Sequence, residues 1–402
     1  MPLRVLQIID SLGMGGAETW LMAVLRLWSE TGTAQMDFVI TSGNRGIFDA
    51  EAERLGARLH YVRYRRQCLP TFVRELRRIL REGRYQAVHD HQDFVSGWHF
   101  VAGAGRLPRV RIAHVHNPYY QIEHNYGISF TRRVSVHIGK QLIRRFATIV
   151  VGTSQRTLEE NGFCRPAFDR IPKAVLHCGF RLTRFSGDSR NARIAVCREF
   201  GWPDEAPIVL FAGRLDASLD FSHPRNHKNS SFAVAVFRAC LEREPEAKMI
   251  MVGANEHVRD VFMNHLSSQG LAHAVVLAGI RSDIEKLMLA SRVLLFPSRA
   301  EGLGMVAVEA QAAGLLVTAS TSVPNECVVL PDLVSFHDLS APIDQWAEAV
   351  VRALRVPRAL PTVSNDSWRG SGFDIRISAA RLQELYQTGL VGTAAYQMRA
   401  DV

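Results

Sequence analysis

Short apolar runs, each long enough for one strand, alternate with helix-length segments along most of the chain. RVLQIID, DFVIT, RLHYV, AVHDH, RIAHVH and TIVVGTS follow one another within the first 154 residues, and after residue 180 the pattern restarts with PIVLFAG, KMIMVGA, AVVLAG, VLLFPS and LLVTAS. Near-continuous apolar strands belong to parallel sheets covered on both faces, since a strand with one wet face alternates. Parallel neighbours also need long crossovers, which the intervening helical segments supply. The predicted fold is α/β, with two Rossmann-like doubly wound domains facing across a cleft. A length of 402 residues accommodates both. Residues 1–180 are assigned to the N-terminal domain and 181–355 to the C-terminal one, with the boundary inside 175–193. The stretch VPRALPTVSNDSWRGSG, 356–372, reads as a linker rich in Pro, Ser and Gly. A last helix within 373–390 is expected to pack back on the N-terminal domain.

Charge narrows the partners. The chain carries 48 Lys and Arg against 39 Asp and Glu, a net +9, which favours anionic ligands and surfaces. Eight arginines fall within 63–84, where Leu69, Phe72, Val73, Leu76, Ile79 and Leu80 recur at helical spacing. A basic amphipathic helix of this kind can lie on an anionic membrane, or it can pack its apolar side on the core. The segment TRRVSVHIGKQLIRRF, 131–146, has the same character. Nucleic acid is not expected, because these arginines lack the interleaved aromatic platforms of single-strand binders. No apolar run is long enough to span a bilayer, and the N-terminus reads as a strand in place of a secretory signal. Six scattered cysteines with no CxxC pair read as reduced thiols, and a cytoplasmic location is expected.

Directly after the first apolar run comes SLGMGGAETW, with Gly13, Gly15 and Gly16 ahead of a helical pattern. A dinucleotide fingerprint needs a glycine where Glu18 stands and an acid at the end of the second strand, which instead finishes in Thr41-Ser42-Gly43. Asp37 enters that strand instead of leaving it. An NAD-dependent oxidoreductase or epimerase is thereby disfavoured. A phosphate-binding Walker loop is excluded, since no GK[ST] follows. What remains is a glycine turn at a helix N-terminus, whose free N–H groups and dipole suit an anion.

In the second half, FPSRAEGLGMVAVEAQAAG joins a strand end, a glycine-bearing turn and a helix, with Glu301 in the turn and Glu309 eight positions later. A wholly helical span would separate the two by about 12 Å, too far to share a proton but suited to the two ends of one extended ligand. Upstream, Arg214 follows an apolar strand and Lys228 precedes a helix. Two fixed cations so placed can neutralise a diphosphate.

Together these motifs, GGAE after the first strand, GRL followed by a lysine, PS..EGLG....EA.AAG and TSVPNE, resemble the retaining glycosyltransferases of family 4, which have the two-domain GT-B fold. The resemblance extends over essentially the whole chain. It implies that Glu301, with Gly302, Leu303 and Gly304 around it, contacts the donor sugar, and that Glu309 holds the nucleotide ribose. It places Arg214 and Lys228 on the donor diphosphate, with Gly15 and Gly16 against it from the other domain. The intervening DASLDFSHPRNH is longer than the family spacing, which makes Arg225 a rival for the Lys228 role. His116 matches a strand-end histidine near the reacting sugar carbon. His91, His114 and Asn117 are candidates for the cleft or the acceptor. His89, His91 and Asp93 have H-x-H-x-D spacing, but Phe94 replaces the last ligand of a two-metal site, and no metal is expected. The resemblance further implies a nucleotide-diphosphate sugar as substrate without a cofactor, and a glycan or lipid-linked acceptor in exopolysaccharide or lipopolysaccharide assembly. Peripheral contact with the inner membrane through 63–84 would follow.

Overall fold

The computed structural model describes residues 3–126, 129–216, 218–220, 222–254 and 256–389. They divide into two compact units, Met1–Arg181 with Gly372–Val402, and Leu182–Ser371. Each unit is built on one parallel sheet.

The first unit contains β1 (Leu3–Ile9), β2 (Ala34–Ile40), β3 (Leu59–Tyr61), β4 (Ala87–Asp90), β5 (Val110–Val115), β6 (Ile149–Gly152) and β7 (Lys173–Val175). Their order is β3-β2-β1-β4-β5-β6-β7, so the chain reverses direction across the sheet between β1 and β4. Register is fixed by Val5 opposite Ala87 and His89 opposite Ile112. The helix Gly16–Thr31 covers one face because Trp20, Leu21, Val24, Leu25 and Trp28 recur on its inner side, and Gly32 ends it with φ 64°. The helix Ile375–Thr388 belongs to this unit, burying Ile375, Ala379, Leu382 and Tyr386. Trp20 Nε1 donates to Ser378 Oγ at 2.9 Å, and Trp28 meets the Tyr386 ring edge-on at 6.0 Å.

The second unit contains β8 (Ile208–Ala212), β9 (Lys248–Val252), β10 (Val275–Gly279), β11 (Val293–Phe296), β12 (Leu316–Ser320) and β13 (Val334–His337), ordered β10-β9-β8-β11-β12-β13. β7 and β13 have no counterpart in the apolar pattern: KAV is only three residues long, and VSFH is only partly buried.

The segment 356–371 is not a free linker. Arg358 Nη2 donates to Ala313 O at 2.7 Å, and Thr362 donates through N to Ala312 O at 3.0 Å and through Oγ1 to Gln311 O at 2.7 Å. These contacts satisfy carbonyls that the helix Met305–Ala312 leaves open at its C-terminus. Trp368 is buried against the same unit. All six cysteines are free thiols, and no helix among the described residues is long and apolar enough to cross a membrane.

Candidate active site

Ligand crevices in doubly wound sheets open at the carboxyl ends of the strands where chain order reverses. In the second unit those strands are β8 and β11. Arg214 follows β8 by two residues, and Glu301 lies in the turn after β11. Lys228 arrives from the loop before the helix Ser230–Leu241, and its Nζ lies 2.6 Å from Glu301 Oε1. The loop is shaped by Asp216, whose carboxylate accepts from Ser230 N at 3.1 Å, Ser230 Oγ at 3.2 Å and Lys228 N at 3.4 Å. Burial pushes the Asp216 carboxyl up, and those same donors hold it down. Gly213 makes room for the lysine stem, since a Cβ there would touch Lys228 Cγ and Cδ at 3.4 Å.

Lys228 and Glu301 are therefore ion-paired to each other, where the sequence reading gave them separate partners. Arg214 is exposed and makes no hydrogen bond among the described residues, so its guanidinium is open to a ligand. The Arg225 side chain is also exposed and makes no ion pair among the described residues. Of the two rivals, Lys228 is the one joined to Glu301.

The turn bearing Glu301 is not helical, so the spacing expected for a continuous helix does not apply. Glu301 and Leu303 are buried, and the helix begins only at Met305. Gly304 has φ 87°, and a Cβ on it would fall 2.9 Å from Val323 Cγ1, so conformation and space both require glycine. No side chain caps this helix, which leaves its first N–H groups and positive dipole end available to an anion. Gly302 lies in the same turn, half-buried. Glu309 is half-buried inside the helix, and its carboxylate makes no hydrogen bond among the described residues. Burial pushes its carboxyl up to about 7; Arg184 opposes the rise and Glu285 adds to it.

In the first unit the reversal falls between β1 and β4. The glycine loop follows β1, with Gly15 as N-cap at φ −84° and Gly16 opening the helix. A side chain at Gly15 would run into the movable Glu18 carboxylate, and one at Gly16 would meet nothing within 4 Å. Neither glycine is demanded by backbone conformation. Burial raises the Glu18 carboxyl, with Asp10 adding to the effect.

Four imidazoles from the ends of β4 and β5 pack side by side. His89 Nε2 lies 3.1 Å from His114 Nδ1, and His91 Nδ1 lies 2.9 Å from His116 Nε2. Trp20 closes edge-on over His91 and His114. Burial lowers all four, His116 to about 3, so each ring is neutral. His89, His91 and His114 bring nitrogens within 4.8 Å of one another. The hydrogen bonds join the rings in two pairs, His89 with His114 and His91 with His116.

Two of the cleft candidates need correction. His114 is fully buried beneath Trp20, and His91 is buried with both nitrogens engaged, on His116 and on Gln7 Oε1 at 2.9 Å. His116 is partly accessible and Asn117 exposed. Asp93 (φ 49°) accepts from His116 N at 2.8 Å and from Asn117 Nδ2 at 2.8 Å, fixing the turn that presents both. Burial pushes its carboxyl up to about 6. Of the residues that hold this group, Gln7, Trp20 and Tyr386 escaped the motif reading, and Asp93 entered it only through its H-x-H-x-D spacing. Gln7 was detectable as the polar residue inside an apolar strand. Asp37, for its part, is taken up by Tyr85 Oη at 2.8 Å and Arg58 N at 3.0 Å, which suits a structural role and not a ribose contact.

The basic segment 63–84 also departs from expectation. The helix Leu69–Gly83 turns Phe72, Leu76, Ile79 and Leu80 into the core, and Arg74, Arg78 and Arg81 remain outside beside Glu75 and Glu82. Its apolar face is therefore not available to lipid. The helix Phe130–Phe146 differs, with Phe130, Val134 and Ile138 exposed along one line.

Two α/β units, with cations at the strand ends of the second and a helix N-terminus there open to an anion, fit an enzyme that handles a phosphorylated ligand. Family comparisons divide the chain likewise: Glycosyltransferase Family 4 matches residues 14–181, and Glycosyl transferases group 1 matches 206–355. The chain belongs to the family 4 glycosyltransferases and is a glycosyltransferase of the polysaccharide-biosynthesis type. It is 28% identical over 390 residues to the putative glycosyltransferase EpsF of Bacillus subtilis, covering 95% of this chain and 96% of that one. It is 28% identical over 328 residues to the UDP-Gal:alpha-D-GlcNAc-diphosphoundecaprenol alpha-1,3-galactosyltransferase of Escherichia coli, covering 77% of each. The crystal structure of Anabaena Alr3699/HepE in complex with UDP-glucose superposes with a TM-score of 0.73 at 16% identity, over 96% of this chain and 100% of that one. Both units are thus the Rossmann-like domains of the GT-B fold.

Proposed function

We propose that the enzyme transfers a hexose from a nucleotide-diphosphate sugar to a lipid-linked glycan, with retention at the anomeric carbon and without a metal or other cofactor. The observation that carries this reading is the group at the ends of β8 and β11: an open Arg214 and the Lys228–Glu301 pair. Charge builds on the departing diphosphate as the glycosidic bond breaks, and preorganised cations lower that barrier in a site that excludes water. Arg214 takes one phosphate. Lys228 exchanges Glu301 for the other, which frees the Glu301 carboxylate to accept from the sugar hydroxyls. Glu309, which has no partner of its own, accepts from the ribose hydroxyls. The Gly15–Gly16 backbone lies against the diphosphate, and His116 with Asn117 serves the reacting sugar and the acceptor.

UDP-linked donors are the first to test, because the Escherichia coli relative and the superposed Anabaena structure are both described with UDP or a UDP-sugar. A diphosphoundecaprenol-linked acceptor, as named for that relative, would keep the enzyme at a membrane surface. Exposed Phe130, Val134 and Ile138 would sit among lipid headgroups, with the arginines at 74, 78 and 81 adding attraction to anionic lipid. The deciding experiment measures nucleotide release from UDP-, GDP- and ADP-hexoses in the presence of a polyprenyl-diphosphate glycan. Release with one nucleotide that depends on Arg214 and Lys228 supports the assignment. Release that is indifferent to both residues removes it.

A further inference from the structure

We infer that Gln7 and Tyr386 are positioning residues that fix the ring tautomer of His116, leaving its Nδ1 as an acceptor for a substrate hydroxyl; the place of His116 at the sugar rests on the function proposed above. Gln7 is fully buried in β1, and its amide joins two chains of hydrogen bonds. Its Nε2 donates to Tyr386 Oη at 2.8 Å, and its Oε1 lies 2.9 Å from His91 Nε2. An amide oxygen only accepts, so His91 must carry its proton on Nε2. A neutral imidazole has one N–H, and His91 Nδ1 is therefore the acceptor in the 2.9 Å bond to His116. His116 then donates through Nε2, and its Nδ1 is bare. That Nδ1 has no hydrogen-bond partner among the described residues, and His116 is only half-buried.

The other branch follows the same logic. Tyr386 accepts from Gln7, so its single proton goes to His89 Nδ1 at 2.7 Å. His89 then donates through Nε2 to His114 Nδ1 at 3.1 Å. His114 Nε2, buried without a partner, ends this branch. Turning the Gln7 amide over would reverse every bond in both branches and place a proton on His116 Nδ1, making it a donor. One buried amide therefore decides whether His116 offers a lone pair or an N–H, through residues up to 379 positions apart in sequence.

Two-bond nitrogen–proton correlation spectra of the full-length nitrogen-15-labelled chain read ring tautomers directly, and four forms discriminate. Tyr386→Phe keeps the ring packed on Trp28 but removes the hydroxyl that orients Gln7. Gln7→Leu removes both partners. Gln7→Glu, as the carboxylate, is acceptor-only and so preserves the His116 branch. The expected result is His116 protonated on Nε2 in the wild type and in Gln7→Glu, and a mixture in Gln7→Leu and Tyr386→Phe. In those last two variants kcat should fall about tenfold with donor KM little changed, as for loss of one oriented hydrogen bond. An unchanged His116 tautomer in all four forms overturns the inference. So does a wild-type ring protonated on Nδ1, or elemental analysis finding a stoichiometric metal on these rings. If the tautomers move as stated and turnover does not, the wiring stands and the placement of His116 at the sugar falls.

Discussion

At the scale of single residues, the two cations differ in what they support besides the ligand. Arg214 is exposed and makes no hydrogen bond or ion pair among the described residues, so Arg214→Ala should cut kcat/KM by roughly a hundredfold or more while leaving stability within about 0.5 kcal/mol. Lys228 neutralises Glu301, which is 9% exposed and 2.6 Å away. Lys228→Met should therefore lower both turnover and the thermal midpoint, because it strands a buried carboxylate. Thermal melts alongside initial rates check both, and an unaltered midpoint for Lys228→Met removes the pairing. Gly16→Val tests the loop: with nothing within 4 Å of the added carbon the fold should persist. Donor affinity should fall severely, as seen by nucleotide-sugar titration. Glu309 gives a pH signature. Its carboxyl, raised to about 7, ionises between pH 6 and 8 and accepts ribose hydroxyls best as the anion. Donor affinity should rise over that interval, and the rise should vanish in Glu309→Gln.

At the scale of elements, the two basic helices part ways. Leu69–Gly83 spends its apolar side on the core, so it can contribute only salt-sensitive attraction to a membrane. Phe130, Val134 and Ile138 are exposed at four-residue intervals, and replacing all three with Ser should abolish the salt-resistant part of binding to anionic vesicles in sedimentation assays. Reversing Arg74 and Arg81 should change only the salt-sensitive part. Arg77 is unsuitable for that test, because its Nε donates to Ala102 O at 2.9 Å and serves the first unit. The elements themselves were largely legible, since a strand buried on both faces has to be apolar over its length. What escaped was tertiary. Lys228 and Glu301 stand 73 residues apart, and periodicity does not encode their pairing. The segment 356–371 looked like a linker from its Pro, Ser and Gly, yet Arg358 and Thr362 fix it to the carbonyls of a helix end. His114 shares a strand face with His116, which sequence could show, but only the packing of Trp20 reveals that one is sealed and the other open.

At the scale of the whole molecule, acid sensitivity should be set by the histidine group. Burial holds His89, His91, His114 and His116 below the unfolded value of 6.5, so the unfolded chain binds more protons as pH falls. Stability is then complete above about pH 6.5 and declines below it, by on the order of 1 kcal/mol per pH unit for each histidine. The thermal midpoint should drop steeply between pH 7 and 5, and a flat profile would contradict the neutral burial of these rings. The division of the chain has another consequence. Leu182–Ser371 is one continuous stretch, whereas the first unit needs both Met1–Arg181 and the helix Ile375–Thr388. A ribosome emitting roughly 5–20 residues per second delivers the whole sequence of the second unit before Ser378 and Tyr386 of the first. The unit made first in sequence is thus completed last in time, and its histidines acquire their final proton arrangement only when the end of the chain emerges. Truncation before Ile375 should accordingly leave the 182–371 unit folded, joined to a 1–181 segment that cannot close.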